Sequence, residues 1–491
     1  MQLSSGSGRW VLTATVLGSG MAMIDGTVVN VALPHISREL GGGFAALQWV
    51  INGYALTLAS LILLGGSLGD KFGRRRVFLI GVAWFALASV GCGLAPNMET
   101  LIAARALQGV GGALLTPGSL ALISSSFRRE DRGAAIGAWS GLGGLAAALG
   151  PLLGGFLAEQ SWRAVFLINV PIAILVAVVT VLKVPESRNQ YAPPGLDVTG
   201  TTLAVIGLAA TTFGLTDLSN NGMSPGALIA VAAGIAAFVG LIAVERRSSA
   251  PLVPPALFTD NIFRIANLIT LLIYGALGVV FLLLVLQLQT VAGFSPVAAG
   301  SALLPFTAVM LLFSAKAGAL AGRLGPRLPL AVGAAIAAIG VLLMLRVGAD
   351  ASWLADVFPA AITFGMGMTL IVAPLTSAVL GAAPDDLAGA ASGVNNAVAR
   401  AGGLIAVAVV PGLAGIAHAE HVDPGAFDAG FRTAIMIAAG LLLASSVLAI
   451  LGIRPRTAPA TRSDGFRIED CPRCDVTGPA VAPSEVVRQS P

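Results

Sequence analysis

Two ionisable residues of opposite charge stand within apolar stretches of this 491-residue chain, Asp25 deep in the first and Arg105 about one turn inside the fourth. Asp25 sits in Met21-Ala-Met-Ile-Asp25-Gly-Thr-Val-Val-Asn30, and Arg105 in Ile102-Ala-Ala-Arg105-Ala-Leu-Gln108-Gly-Val-Gly111. An acid inside an apolar helix is costly and seldom idle. A low-dielectric surrounding favours the neutral form of a carboxyl group and so brings proton exchange toward neutral pH. Asp25 is therefore a candidate proton carrier or cation partner; the alternative is a structural hydrogen-bonding acid. A buried guanidinium must be paired. Arg105 is a candidate partner that makes proton release from a nearby acid depend on conformation, or else a bridge to backbone carbonyls that fixes helix packing.

The elements that position these residues follow from composition. The chain is 56% apolar and 11% charged, with mean hydropathy +0.88. Soluble domains run about 45–50% apolar and about 25% charged, so a soluble enzyme is excluded. Fourteen apolar runs fall between residues 10 and 452, each near the ~20 residues that cross a bilayer as a helix. The first begins at Trp10 and reads as an uncleaved signal anchor. High glycine content, 61 residues, suits closely packed membrane helices. The net charge of +4 does not point to nucleic acid, because the positive residues cluster at helix ends. The even-numbered loops and both tails carry 22 Lys and Arg, the odd-numbered loops four. That bias places both termini in the cytoplasm. The fold class is an all-α polytopic membrane protein.

The sequence repeats itself. Gly66-Ser-Leu-Gly-Asp70-Lys-Phe-Gly73-Arg-Arg lines up with Gly318-Ala-Leu-Ala-Gly-Arg-Leu-Gly325-Pro-Arg at an offset of 252. Gly109 and Gly111 line up with Gly365 and Gly367, and Gly133-Ala-Ala-Ile-Gly137 with Gly389-Ala-Ala-Ser-Gly393, at 256. The expected organisation is a six-helix bundle over 1–190, two additional helices over 191–250, a second six-helix bundle over 251–453 and a disordered cytoplasmic tail over 454–491. Parallel repeats of this kind build two-bundle carriers with the site between the halves.

Asp70, Gly73, Arg74 and Arg75 make a charged tight turn. Asp70 can cap a neighbouring helix, and the arginines can pair with acids or lipid headgroups. The turn is either a latch between conformations or an orientation signal. Gly137, Gly141, Gly150, Gly154 and Gly155 give the fifth run a small-residue face, and Pro151 removes a backbone donor and kinks it. Asn30, Trp49, Asn52 and Tyr54 are candidates to line a substrate cavity. So are Gln287, Gln289, Asn395 and Arg400 in later runs; some of these groups face lipid interfaces instead. Cys471-Pro-Arg-Cys474 is a lone pair of thiols, with His418 and His421 placed across the membrane, so no metal site is read here. No phosphate-binding loop and no clustered catalytic constellation appears, which argues against an ATP-driven protein and against an enzyme.

In combination these motifs resemble the major facilitator superfamily, specifically its fourteen-helix drug–proton antiporter family of multidrug efflux type. Asp25-Gly-Thr-Val-Val-Asn30-Val-Ala-Leu-Pro34 is similar to that family's first-helix signature. Gly66 to Arg75 resembles its loop 2–3 motif, and Arg105-x-x-Gln108-Gly109-x-Gly111 its helix 4 motif. Gly150-Pro151-Leu-Leu-Gly154-Gly155 resembles its antiporter motif, with Ala146 where glycine is usual. Trp162-Arg163 and Phe166-Leu-Ile-Asn169-Val-Pro171 share the family look. The resemblance implies the major facilitator fold and proton-driven export of amphipathic drugs, antibiotics or secondary metabolites by alternating access, helices 1–6 rocking against 9–14. It implies Asp25 as protonation site and Arg105 as coupling partner. It implies a proton gradient in place of any cofactor, and a monomer in the bilayer of a bacterial cell membrane. One departure weakens divalent-cation export: the tenth run holds Lys316 and no acid, which leaves room for a neutral or anionic substrate. The alternatives are a symporter or uniporter for a small metabolite; a membrane sensor or scaffold would need a docking domain beyond the short tail.

Overall fold

The computed structural model describes residues 1–188, 197–248, 251, 253–384, 387–416 and 424–453. The tail at 454–491 with Cys471 and Cys474, and the pair His418 and His421, lie outside the described residues. The described residues hold fourteen helices long and apolar enough to cross a membrane. In lipid a backbone must satisfy its own polar groups, so an apolar run of this length folds as a helix. The spans are α1 (Gly6–Leu40), α2 (Phe44–Phe72), α3 (Arg74–Gly93), α4 (Met98–Ser126) and α5 (Arg129–Gln160). The sixth, α6, is two pieces, Ala164–Leu167 and Asn169–Lys183. Then come α7 (Val198–Asn221), α8 (Pro225–Glu245) and α9 (Asn261–Thr290). A broken α10 (Pro296–Ser301, then Leu304–Leu324) leads to α11 (Arg327–Leu343), α12 (Phe358–Gly381), α13 (Ala388–Leu413) and α14 (Pro424–Gly452).

Side-chain caps mark several starts. Asn97 Oδ1 accepts from the Thr100 N–H at 2.9 Å, Asp197 Oδ1 from Gly200 at 2.7 Å, and Asp260 Oδ1 from Ile262 at 2.7 Å. Ser224 and Ser295 do the same for α8 and α10. Each satisfies one of the donors that a helix start leaves open.

Helices α1–α6 and α9–α14 pack by the same scheme. In the first set α1 packs on α5 and α6, and α4 on α2 and α3; in the second α9 packs on α13 and α14, and α12 on α10 and α11. Adding eight to each helix number converts one list into the other. The inserted α7 and α8 pack on each other, and α7 also packs on α2 and α13. The two sets meet along α5–α10 and α2–α13, which are equivalent seams, and along α1–α9.

An even number of spans puts Met1 and residue 453 on one side, the terminal side. The seams are tied at the opposite, far side. Gln48 Nε2 donates to the Val407 carbonyl at 2.7 Å across α2–α13, and Gln289 Nε2 to the Val31 carbonyl at 3.0 Å across α9–α1. A Cβ on Gly155 would lie 2.6 Å from Val297 Cα, so only glycine lets α5 and α10 touch there. On the terminal side, a Cβ on Gly133, Gly137, Gly141 or Gly144 would meet nothing within 4 Å. The expectation of one close-packed glycine face along α5 therefore holds only for its far end.

Candidate functional site

The Gly109 and Gly111 region sets α4 between its neighbours. A Cβ on Gly109 would be 3.1 Å from Leu58 N on α2, and one on Gly111 2.6 Å from Phe85 N on α3. Backbone-to-backbone approach carries Arg105 and Gln108, one turn earlier, into the junction of α1, α2, α3, α4 and α6. There Arg105 Nη1 meets Asp25 Oδ2 at 2.5 Å, and both side chains are 2% exposed or less. Asp25 Oδ1 also accepts from Gln108 Nε2 at 2.8 Å and from Asn169 Nδ2 at 2.9 Å. Ser89 Oγ takes a second bond from each of those amides, at 2.8 and 2.9 Å. Arg105 uses Nη1 again on Gln108 Oε1 at 2.6 Å and Nε on the Val50 carbonyl at 3.1 Å. Its Cζ lies 4.3 Å from the Tyr54 ring centroid, and the Tyr54 hydroxyl donates to the Ala22 carbonyl at 3.3 Å.

Five helices thus converge on one carboxylate with three donors. A buried pair that retains its hydrogen bonds is tolerable; removing one partner is strongly destabilising, by roughly 3–5 kcal/mol. Chemically the cluster can hold a charge, or exchange it for a proton at the cost of leaving Arg105 with neutral partners. Sequence reasoning placed Gln108 and Asn169 only within motifs and missed Ser89 and the Val50 carbonyl. A serine in an apolar helix carries no signal of its own until the fold puts an acid beside it.

The charged turn is built within the first set of helices. Asp70 Oδ1 accepts from Arg74 Nε at 2.8 Å and Nη2 at 2.7 Å. Gly73 has φ +112°, a region that favours glycine. The α3 cap comes from Glu186, beyond α6, and not from Asp70: Glu186 accepts from the Arg75 and Arg76 N–H groups at 3.1 and 3.2 Å. Arg75 Nη2 reaches the Val181 carbonyl at 2.8 Å. Glu186 had no sequence signal either.

Gly150 and Gly154 pack on α1. A Cβ on Gly154 would lie 2.6 Å from the Val28 carbonyl oxygen, and one on Gly150 would collide with Thr27. Pro151 contacts the second set, since a Cβ on Gly300 would be 2.8 Å from its carbonyl carbon.

The other candidates scatter. Trp49 is half-buried with its ring 6.1 Å from Phe213 on α7. Asn52 is fully buried, and neither of its amide atoms has a partner. Asn30 is half-buried on α1. Asn395 donates to Asn267 and Thr270 on α9 at 3.1 and 2.8 Å. Gln287 donates to the Val347 carbonyl at 2.9 Å and to Asp428 at 2.6 Å, so its amide nitrogen is engaged inside the second set and not at the seam. Gln289 and Arg400 do lie at the contact between the sets. A cavity of about 350 Å³ lined by His35, Arg38, Glu39, Glu159 and Trp162 opens at the far end of α1 and α5, away from Asp25.

Twelve helices in two equivalent sets, with a buried acid–guanidinium pair in one, define a polytopic carrier of the two-bundle type. Residues 15–407 match the Major Facilitator Superfamily, and the chain belongs to that family of membrane transporters. It is 36% identical over 495 residues to the probable actinorhodin transporter of Streptomyces coelicolor, covering 96% of this chain and 85% of that one. It is 36% identical to the multidrug resistance protein Stp of Mycobacterium tuberculosis, covering 81% and 74%. It is also 36% identical to the puromycin resistance protein of Streptomyces alboniger, covering 92% of each. Solved structures share the fold at low identity. A peptide transporter POT in complex with sulfate superposes with TM-score 0.67 at 15% identity, over 92% of this chain and 96% of that one. A bacterial homolog of the human lysosomal transporter Spinster gives 0.65 at 17%, over 91% and 97%.

Proposed function

We propose that the protein is a proton-coupled efflux carrier for amphipathic drugs, antibiotics or secondary metabolites, working by alternating access. The observation that carries this reading is the fully buried Asp25–Arg105 pair, held by groups from five helices. Proton uptake by Asp25 removes the charge that Arg105 is paired with. Uncoupling a buried pair is worth roughly 3–5 kcal/mol, and about 5.5 kcal/mol carries a two-state equilibrium from 1:99 to 99:1. One protonation is therefore of the right size to bias the rocking of residues 1–190 against 251–453. The contacts of Pro151 and Gly155 with α10 hold the far side shut in one of the two access states. The Asp70–Arg74 turn acts as a latch. The charge bias of the loops makes the terminal side cytoplasmic. The proton gradient supplies the energy with no cofactor, and one chain in a bacterial cell membrane suffices.

Support also comes from the relatives, which are named for transport of, or resistance to, antibiotics and drugs. The test uses inverted membrane vesicles, energised, with a pH-gradient dye and a panel of cationic, neutral and anionic drugs. Substrate-triggered proton release that is lost in Asp25→Asn is expected. A native-like response in Asp25→Asn overturns the proton site; solute moving in the same direction as the proton identifies a symporter instead.

A further inference from the structure

Arg400 lies at the middle of α13 and differs from Arg105 in every contact. Among the described residues it makes no ion pair and no hydrogen bond. The groups its charge reaches are the hydroxyls of Tyr54 on α2 and Tyr274 on α9, and no acid is among them. Its surroundings fix where it stands. Asn395, five residues earlier, bonds to α9. Gly402 packs on the α9 backbone, where a Cβ would sit 3.1 Å from the Leu271 carbonyl carbon. Ala401 and Leu404 pack with Ala59 of α2 and Leu208 of α7. Arg400 is therefore half-buried at the contact between the two sets of helices, at mid-membrane depth.

A guanidinium at that depth faces a cavity and finds a counter-charge, or it is not retained cheaply. Asp25 cannot serve, because Arg105 and two amides already hold it. The charge left over between the sets is positive. A cationic drug would be repelled there; an anion would complete the site.

We infer that the exported compounds carry an ionised acidic group, a carboxylate or a comparably acidic phenol or enol, and that Arg400 receives it. The planar fork of guanidinium donors suits two oxygens of such a group. The inference rests on the efflux reading only for there being a small organic substrate between the sets, so its test needs no gradient. Purified protein in phosphatidylcholine nanodiscs is titrated with two xanthene dyes of similar size, fluorescein as the anion and rhodamine 123 as the cation, and binding is read by fluorescence anisotropy. Native protein is expected to bind fluorescein more tightly than rhodamine 123. Loss of one charge-assisted contact predicts about ten- to a hundredfold weaker fluorescein binding in Arg400→Gln, while Arg400→Lys stays within about tenfold of native. Monodisperse gel filtration of both variants excludes misfolding as the cause. Binding of rhodamine 123 alone, of neither dye, or of fluorescein undiminished in Arg400→Gln overturns the inference. Proton-coupled export of cations that ignores Arg400→Gln leaves the efflux reading standing without the inference. Anion binding at Arg400 with no proton coupling does the reverse.

Discussion

At the offset of 256 that relates Gly111 to Gly367, Arg105 corresponds to Ala361 and Gln108 to Phe364. Both regions are built alike. A Cβ on Gly111 would lie 2.8 Å from Phe85 Cα, and one on Gly367 2.6 Å from Ala337 Cα, so the third and fourth helices of each set touch through backbone. What fills the space one turn earlier is opposite in kind. In the first set it is an ion pair, two amides and a serine. In the second it is Phe364, fully buried and stacked on Phe306 at 5.1 Å, with Phe281 edge-on to Phe306 at 5.8 Å. The small residues that set helix spacing are common to both copies, and a few side-chain changes place an ion pair at this junction in one alone.

The largest effect expected from this asymmetry is in proton coupling. Asp25→Asn keeps the shape and the donors around it but removes the titratable group, and substrate-dependent proton movement in vesicles should vanish. The transplant in the other set, Phe364→Gln, should leave proton movement intact wherever the protein folds. If Phe364→Gln abolishes coupling as Asp25→Asn does, the division of labour between the sets is wrong.

Next come losses of stability, read as shifts in the SDS-denaturation midpoint. Arg105→Met leaves Asp25 buried without its cation and should cost roughly 3–5 kcal/mol. Phe364→Ala should cost a similar ~3–5 kcal/mol for a different reason, an aromatic cavity. Adding Asp25→Leu to Arg105→Met should recover much of the loss, since an apolar pair of similar volume often replaces a buried ion pair at little cost. No second substitution at a polar position should rescue Phe364→Ala.

Much of this comparison was legible in the sequence. The repeat offsets already pair Gly73 with Gly325 and Gly111 with Gly367, and the fourteen apolar runs became fourteen helices. Asp25 and Arg105 stood out as opposite charges in apolar settings, and the fold brings them into contact. What the sequence hid was every partner supplied from elsewhere in the chain by an ordinary residue: Ser89, the Val50 carbonyl and Glu186. Gln287 misled for the converse reason. A polar residue in an apolar run signals a partner but not where the partner is, and Asp428 lies 141 positions away on α14.

Smaller effects test the two turns. Gly73 and Gly325 are equivalent at an offset of 252 and both have positive φ, +112° and +74°. Alanine at either position pays the left-handed penalty of about 1–2 kcal/mol. At Gly73 the new Cβ would also lie 2.9 Å from the Glu186 carboxylate that caps α3, whereas at Gly325 it would meet nothing within 4 Å. Gly73→Ala should therefore lower the denaturation midpoint more than Gly325→Ala; equal losses would mean that the Glu186 cap adds nothing to the first turn.

The smallest expected effect separates the latch from mere tethering. Asp70 has Gly322 as its counterpart and Arg74 has Pro326, so the ion pair exists in one turn only. It is partly exposed, with 37% of the Asp70 side chain accessible, and such pairs contribute about 0.2–1 kcal/mol. Asp70→Asn should scarcely move the denaturation midpoint. A latch acts on the interval between conformations, so transport rate should still fall by a few-fold, as about 1 kcal/mol on a rocking barrier implies. Raising ionic strength should weaken the native pair and narrow the gap between native and Asp70→Asn rates. Unchanged transport in Asp70→Asn would reduce the turn to an orientation signal, and the two sets would then differ in the buried cluster around Asp25 and not in their turns.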